Sequence, residues 1–150
     1  MSTLIYTRGL PASGKSTWAK AWVAQDVGGR VRVNKDDLRD MAHGGEFVKG
    51  ATEQHINAIR DSIILELLRS GVDVVCDDTN LPERTGHHLH QLAAKVGASV
   101  QVKDFTHVPL GVCIQRDAAR PRSVGEHVIR DMHRALLAKR PQPPRPVPRR

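Results

Sequence analysis

Close to its first residue the chain reads Gly9-Leu10-Pro11-Ala12-Ser13-Gly14-Lys15-Ser16, with Thr17 next. This spacing matches the phosphate-binding pattern G-x-x-x-x-G-K-[ST]. Glycines in such a loop let backbone N–H groups approach a polyphosphate, and the helix that begins there adds the positive end of its dipole. The pattern predicts that Lys15 reaches the β- and γ-phosphates of a nucleoside triphosphate and that the Ser16 hydroxyl binds Mg²⁺. The predicted nucleotide-binding residues of the loop are Gly9, Pro11, Ala12, Ser13, Gly14, Lys15, Ser16 and Thr17.

The residues on either side of this loop have the patterns of a strand and a helix. Residues 3–7 predict a buried β-strand, and Trp18, Trp22 and Val23 fall on one face of a predicted helix. A strand, a loop and a helix in this order form the context that phosphate binding requires. A glycine-rich turn that binds no ligand is the alternative explanation of the same residues.

Length and charge favour one domain with a basic tail. The chain has 150 residues and a formal net charge of +7. Residues 130–150 hold seven of the 23 lysines and arginines but only one acid, Asp131. We expect one folded domain over residues 1–139 and a basic, proline-rich tail over residues 140–150 that is extended or disordered. Because most of the excess charge lies in this terminal piece, composition alone is weak support for a nucleic-acid partner.

The cysteines and the apolar runs indicate the compartment. Cys76 and Cys113 have no C-x-x-C spacing, and the N-terminus has no apolar region of the secretory kind. No apolar run reaches the roughly 18 to 20 residues that span a bilayer. We therefore expect an intracellular, cytoplasmic protein without a membrane partner. No pattern in the sequence indicates an oligomeric state.

Pairs of acidic residues follow two further predicted strands. Residues 31–33 predict a short strand that leads into Asn34-Lys35-Asp36-Asp37-Leu38-Arg39, and residues 72–76 predict a strand that leads into Asp77-Asp78-Thr79-Asn80. Ligands bind at the carboxyl ends of parallel strands, so these acids are candidates for catalysis or for the metal. The structural alternatives are a helix cap at the first pair and an Asx turn at the second. With two aspartates in a row, one of the first pair can cap the helix while the other faces the cleft.

Periodicity predicts the remaining elements. Residues 51–70 predict a long helix whose buried stripe includes Ile56, Ile59, Ile63 and Leu67 and is widened by Ile64 and Leu68. Residues 100–105 predict a fourth strand. The remaining helices are predicted over residues 82–96 and 110–120 and around the apolar residues of 128–136.

Arginines cluster where the helix 110–120 ends. Arg116, Arg120 and Arg122 surround Pro121. Surface arginines are common, but guanidinium groups on a mobile segment are also the groups that enclose a phosphate during phosphoryl transfer. The segment is therefore a candidate lid.

Four segments, taken together and in order, resemble the kinase domain of bacteriophage 5′-polynucleotide kinases. They are the phosphate loop (P-loop) 9–17, the segments 34–39 and 78–84, and the arginine segment 116–120. The combination is more specific than the loop alone, which many unrelated nucleotide-binding proteins share. The resemblance covers residues 3–137 and implies that residues 1–139 form a P-loop kinase domain of the α/β class. Such a domain has a parallel sheet of about four strands with the loop strand central, helices on both faces and an arginine-bearing lid.

The resemblance also implies a role for single residues. Asp36 matches the general base that takes the proton from an attacking 5′-hydroxyl, and Arg39 matches a residue that orients a phosphate of the acceptor. Asp78 matches an acid needed for activity. Arg116 and Arg120 match nucleotide-binding lid arginines, with Arg120 the clamp on the transferring phosphate. The catalytic set implied is Lys15, Asp36, Arg39, Asp78 and Arg120.

The implied reaction transfers the γ-phosphate of ATP, with Mg²⁺ as cofactor, to the 5′-hydroxyl end of DNA or RNA. Two positions depart from the family pattern. Lys35 stands where an arginine is common, and Asp77 adds a second acid beside Asp78, which leaves open which of the two serves the site. Two other functions fit the same residues: a P-loop kinase for a small alcohol such as a sugar acid, a nucleoside or an antibiotic, and a nucleic-acid-binding nucleotide switch.

Overall fold

The computed structural model describes residues 1–138, within which the chain forms four strands and six helices. The predicted tail 140–150 lies outside the described residues. Each element agrees with its predicted bounds within two residues. In chain order the elements are β1 (Thr3–Arg8), α1 (Lys15–Ala24), β2 (Arg30–Val33), α2 (Lys35–His43), α3 (Ala51–Arg69), β3 (Asp73–Cys76), α4 (Glu83–Lys95), β4 (Ser99–Asp104), α5 (Leu110–Ala118) and α6 (Glu126–Leu136).

The four strands form one parallel sheet in the order β2-β3-β1-β4. Leu4 of β1 is in register with Val74 of β3 on one side and with Val100 of β4 on the other. The strand that leads into the phosphate loop is therefore an interior strand, as predicted. Because all strands run the same way, the loops after β1, β2 and β3 meet at one edge of the sheet.

Helices cover both faces of the sheet, because neighbouring residues of a strand point to opposite faces. On one face Leu4 and Val74 pack in a buried cluster with Ile64 of α3 and Leu89 of α4. On the other face Ile5 and Val75 pack with Ala19 of α1, and Trp18, Trp22 and Val23 extend that cluster. This arrangement confirms the predicted α/β fold with helices on both faces. None of the helices within residues 1–138 has the length and apolar character needed to cross a membrane.

The buried stripe of α3 agrees with its prediction except at Ile59. The fully buried apolar residues are Ile56, Ile64 and Leu68, whereas Ile59 is exposed. The i, i+4 row that runs through these residues includes Arg60, which is buried as well. A charged side chain fits this row because acidic partners surround it: Arg60 donates to Asp61 and, through Nη1, to Asp78.

A third apolar cluster joins α5 and α6 to the loops at the sheet edge. Leu10 and Leu81, which follow β1 and β3, pack against Cys113 of α5 and Ile129 of α6. This cluster holds the α5–α6 pair over the loop side of the sheet. The turn between the two helices, residues 119–125, is thereby placed opposite α2.

Candidate nucleotide and acceptor site

The phosphate loop joins β1 to α1 with two positions where glycine is required. A Cβ at Gly9 would lie 2.6 Å from Ser13 Oγ and 2.8 Å from Phe105 Cβ, so no larger residue fits there without movement. Gly14, the residue before α1, has φ +106°, a left-handed backbone that favours glycine. Ala12 also has a positive φ of 61°. Loops of this kind turn successive N–H groups toward one concave surface, which suits an anion.

Lys15 is a buried cation enclosed by its own loop. Its Nζ donates to the carbonyl oxygens of Gly9 at 2.9 Å and Leu10 at 2.5 Å, and its side chain contacts Ser13 Oγ at 3.3 Å. Only 7% of its surface is exposed. Burial lowers the pKa of the Lys15 ammonium to about 8. A bound phosphate would supply the negative charge that this ammonium lacks in the loop.

Asp77 has one carboxylate oxygen engaged and one without a partner. Its Oδ2 accepts a hydrogen bond from Arg32 Nε at 2.6 Å, and the side chain is fully buried. Its Oδ1 finds no hydrogen-bond partner among residues 1–138. Burial raises the pKa of the Asp77 carboxyl, while the Arg32 guanidinium and the Ser16 hydroxyl oppose that rise. Hydroxyl and carboxylate oxygens are the donors that Mg²⁺ prefers, so Ser16 and Asp77 fit that ion.

Asp78 serves a different set of contacts from its neighbour. Its Oδ1 accepts a hydrogen bond from the backbone N–H of Lys35 at 2.9 Å, and its Oδ2 accepts from Arg60 Nη1 at 3.2 Å. The carboxylate therefore connects the end of β3 to the first residue of α2 and to α3. The sequence left open which of the two acids serves the site. Asp77 has a carboxylate oxygen without a hydrogen-bond partner among residues 1–138, whereas Asp78 fixes the position of α2.

The acidic pair at the start of α2 is divided between two tasks. Asn34 caps the helix by accepting a hydrogen bond from Asp37 N at 2.8 Å, so the alternative in which an aspartate is the cap does not apply. The Asp37 carboxylate accepts hydrogen bonds from Arg32 and Asn34. Asp36 extends into the cleft with 90% of its side chain exposed, and its Oδ1 lies 2.7 Å from Arg39 Nη1.

Arg39 is held from two sides. Its Nε and Nη2 donate to the two carboxylate oxygens of Glu53 at 3.0 and 2.5 Å, and Nη1 donates to Asp36. Hydrogen bonds from Arg39 hold the pKa of the Glu53 carboxyl below its ordinary value, and Glu53 raises the pKa of Arg39. Because Glu53 belongs to α3, the guanidinium has a fixed position beside the exposed Asp36 carboxylate.

The lid segment is organised by Asp117, which is 1% exposed. Its carboxylate accepts hydrogen bonds from the backbone N–H groups of Val124 at 3.0 Å and Gly125 at 2.9 Å. It also accepts one from Arg120 Nη2 at 2.5 Å. Burial acts to raise the pKa of Asp117, but these three donors outweigh it and lower the pKa below its ordinary value. Asp117 thus closes the turn 119–125 and fixes Arg120 at the same time.

The other two arginines of this segment lie in different places. Arg116 Nη1 would be 4.0 Å from a Cβ at Gly14, so this guanidinium is next to the phosphate loop. Arg122 points away from the loop and donates to Asp40 Oδ1 of α2 at 2.8 Å. The turn is therefore linked both to the phosphate loop and to the end of α2.

One cleft of about 1290 Å³ unites these groups. Most predicted site residues line it; Gly9 and Ser13 are not in the lining. Arg32, Phe47 and Asp117 were missed by the sequence interpretation, although Arg32 and Phe47 line the cleft and Asp117 orients Arg120. The position of Asp117 between Arg116 and Arg120 was the one available signal. The predicted site residues that line the cleft are Pro11, Ala12, Gly14, Lys15, Ser16, Thr17, Asp36, Arg39, Asp78, Arg116 and Arg120.

Known proteins resemble this chain in sequence and in fold. L-seryl-tRNA(Sec) kinase of Methanococcus maripaludis is 26% identical over 137 residues, which are 87% of this chain and 51% of the relative. A chain in the structure of the Pnkp1/Rnl/Hen1 RNA repair complex has a TM-score of 0.77 and 25% identity over 88% of this chain and 42% of that chain. A gluconokinase from Sinorhizobium meliloti 1021 shares the fold, with a TM-score of 0.59 and 18% identity over 93% of this chain and 78% of that one.

The sequence model of one family identifies the family of this chain. This chain spans about half of the length of the curated relative, and less than half of the similar chain in the repair complex. The sequence model of the family described as AAA domain matches residues 4–141, which is most of the chain. The chain therefore belongs to this AAA domain family, and its phosphate loop and four-stranded parallel sheet give it a P-loop kinase-like α/β fold.

Proposed function

We propose that this kinase transfers the γ-phosphate of ATP to the 5′-hydroxyl end of DNA or RNA, with Asp36 as general base. One observation carries the proposal: the Asp36 carboxylate and the Arg39 guanidinium, 2.7 Å apart, line the same cleft as Lys15 and Ser16. A phosphate donor on the loop and a hydroxyl acceptor at Asp36 would therefore meet within one cleft. Bringing the two reactants together in a fixed geometry is the largest contribution that a protein makes to phosphoryl transfer.

Asp36 suits proton transfer because it is exposed to the cleft. In the proposed step the 5′-hydroxyl gives its proton to an Asp36 oxygen while its own oxygen attacks the γ-phosphorus. The bond from that phosphorus to the β,γ-bridging oxygen breaks, and ADP leaves. Lys15, Arg116 and Arg120 would neutralise the phosphate charge as the bond breaks.

The two acids after β3 take separate roles in this proposal. Mg²⁺, when bound, would neutralise charge on the β- and γ-phosphates. Ser16 and the unpartnered oxygen of Asp77 are the residues that would hold it. Asp78 would support the acceptor side, since it fixes the backbone N–H of Lys35 one residue before Asp36.

Charge favours a polyanionic acceptor over a neutral one. The cleft is lined by more basic than acidic side chains, and several of the basic ones lie on the acceptor side. The curated relative is named a tRNA kinase, and the similar chain with the higher TM-score comes from an RNA repair complex. Both names support a nucleic-acid acceptor for this chain. The basic lining residues are Lys15, Lys20, Arg32, Lys35, Arg39, Arg116, Arg120 and Arg122.

The test is phosphate transfer from labelled ATP to a panel of hydroxyl acceptors. The panel contains 5′-hydroxyl DNA and RNA oligonucleotides, a nucleoside 3′-phosphate, free nucleosides and sugars. We expect label on the oligonucleotides and on the nucleoside 3′-phosphate, which offers the same hydroxyl and one phosphate for Arg39. Labelling of a sugar or another small alcohol, with every 5′-hydroxyl nucleic acid left untouched, would refute the proposal in favour of a small-molecule kinase.

Two variants test the base within the same assay. Asp36→Asn keeps the shape of the side chain but cannot accept the proton, so transfer should fall by about 10²-fold or more while ATP binding survives. Asp37→Asn is the matched control, because Asp37 lines the same cleft but its carboxylate is engaged by Arg32 and Asn34. Equal losses in the two variants would contradict the assignment of Asp36.

A further inference from the structure

Phe47 is an exposed aromatic side chain in the cleft. It lies between α2 and α3, 59% of its surface is exposed, and it lines the cleft beside Arg39. The other aromatic side chains among residues 1–138 are buried or half-buried. A phenylalanine that leaves most of its surface in water gains little from the hydrophobic effect in the free protein. Its ring is available to an incoming ligand.

The ring of Phe47 is backed by a guanidinium whose own position is fixed. Arg39 Cζ lies 5.2 Å from the ring centroid. Arg39 is anchored by two hydrogen bonds to Glu53 and one to Asp36. The Phe47 ring, the Arg39 guanidinium and the Asp36 carboxylate therefore lie one after another along the proposed acceptor side of the cleft. A flat group on the open face of the ring would lie in the same cleft as the Asp36 carboxylate.

We infer that Phe47 forms a stacking subsite for the terminal nucleobase of the acceptor. The inference rests on the proposed function and adds the part of the substrate that is recognised beyond the 5′-hydroxyl. Every nucleobase has a π-face, so stacking on one aromatic ring binds the end of a strand with little preference for its sequence. In this arrangement the base stacks on Phe47, and the sugar of the same nucleotide extends along the cleft past Arg39 and presents its 5′-hydroxyl to Asp36.

The experiment compares two acceptors that differ by one base. Both are 5′-hydroxyl oligonucleotides of the same sequence, and one has an abasic tetrahydrofuran sugar in place of the 5′-terminal nucleotide. KM and kcat are measured for both acceptors with the wild type and with Phe47→Leu, Phe47→Trp and Val48→Ala. Val48 is the matched control, since it is the exposed apolar neighbour of Phe47 but does not line the cleft.

The wild type should have a KM for the base-bearing end lower than that for the abasic end by about tenfold. Phe47→Leu should remove this difference by raising the KM of the base-bearing end alone, with kcat and the KM for ATP unchanged. Phe47→Trp should keep the difference, and Val48→Ala should match the wild type. The unchanged KM for ATP shows that each variant is folded.

The results that would overturn the stacking subsite differ from the result that would overturn the proposed function. If Phe47→Leu changes both acceptors by the same factor, or if the wild type does not distinguish them, the stacking subsite is wrong and the 5′-hydroxyl kinase stands. If the wild type phosphorylates neither oligonucleotide while it transfers phosphate to another alcohol, the proposed function itself is wrong.

Discussion

The two walls of the cleft are built in opposite ways. The nucleotide wall is one continuous segment, residues 9–17, whose cation Lys15 is enclosed by the loop and 7% exposed. The acceptor wall consists of side chains from α2, the loop before α3 and the lid, and Asp36 at its centre has 90% of its side chain exposed. Backbone and burial therefore fix the first wall, whereas ion pairs fix the second.

This difference tells where substitutions should matter. A buried charge has few alternatives to its native partners, so changing it alters the whole local structure. An exposed ion pair typically contributes about 0–1 kcal/mol, because water and salt screen it. We therefore expect the loss of activity to be largest for substitutions in the phosphate loop and smaller at Arg120 of the lid and at Asp77. It should be smallest for the contacts at the outer rim of the cleft.

The largest expected effect is that of Lys15→Met. The substitution keeps much of the side-chain volume but removes the only charge that the loop itself contributes to the nucleotide wall. Loss of one preorganised charge-stabilising group should lower kcat/KM for ATP by about 10²- to 10³-fold. Circular dichroism should show a folded protein, because the buried ammonium is itself costly. A loss below tenfold would mean that the loop does not bind the reacting phosphates.

Arg120→Ala tests the arginine of the lid that we propose acts on the transferring phosphate. Arg120 is held by buried Asp117 and lines the cleft, so its charge is in place before the phosphoryl group departs. We expect kcat to fall by about 10²-fold, with a smaller change in the KM for ATP, because charge develops on the phosphate mainly in the transition state. A change in KM with an unaltered kcat would place Arg120 in ground-state binding only.

The nucleotide wall could be predicted from the sequence, since the loop motif and its flanking strand and helix are local. The four strands also followed from periodicity, and the interior position of the loop strand and the helices on both faces followed from the family resemblance. The order of the strands in the sheet was not predicted. The burial of Arg60 in α3 was missed, because periodicity reserves buried helix positions for apolar residues. Its partners, Asp61 and Asp78, become apparent only when α3 is packed against β3.

The acceptor wall was predicted less completely. Asp36 and Arg39 came from a family resemblance, but Glu53, 14 positions after Arg39, was not identified as its anchor. The choice between Asp77 and Asp78 also could not be made from the sequence. The two acids are adjacent, and only the direction of each side chain separates the one with a free oxygen from the one that fixes α2. Side-chain pairs between distant segments have no local signal.

Asp77→Asn and Asp78→Asn sharpen that distinction. If Asp77 holds the metal with Ser16, its variant should need a Mg²⁺ concentration higher by about 10- to 100-fold for half-maximal activity. Asp78→Asn should leave the Mg²⁺ requirement near that of the wild type and raise the KM of the acceptor. Activity measured against Mg²⁺ concentration at saturating ATP distinguishes the metal-binding role from the role in acceptor binding. The reverse pattern would transfer the metal role to Asp78.

Asp117→Asn should weaken the lid in a pH-dependent way. The carboxylate accepts two backbone hydrogen bonds and one from Arg120, so its loss should lower the free energy of unfolding by about 2 kcal/mol at pH 7. The folded pKa of Asp117 lies below its unfolded value. Its stabilisation is therefore fully present above the ordinary Asp pKa and is lost as pH falls through the lower, folded pKa. Urea unfolding of both proteins should show a difference that shrinks below about pH 4.

The smallest expected effect is that of Arg122→Ala at the outer rim. Arg122 is exposed and joins the lid to α2 through one ion pair with Asp40. Such a pair contributes about 0–1 kcal/mol, which limits the change in kcat/KM to about fivefold. Asp40→Asn should produce the same small change, and the double variant should be no worse than either single one, because all three lose one contact. High salt should reduce the difference from the wild type, since it screens exposed charges. A loss of kcat/KM in Arg122→Ala as large as the loss in Arg120→Ala would contradict this. It would show that the rim of the acceptor wall takes part in phosphate transfer, together with the groups beside the phosphate loop.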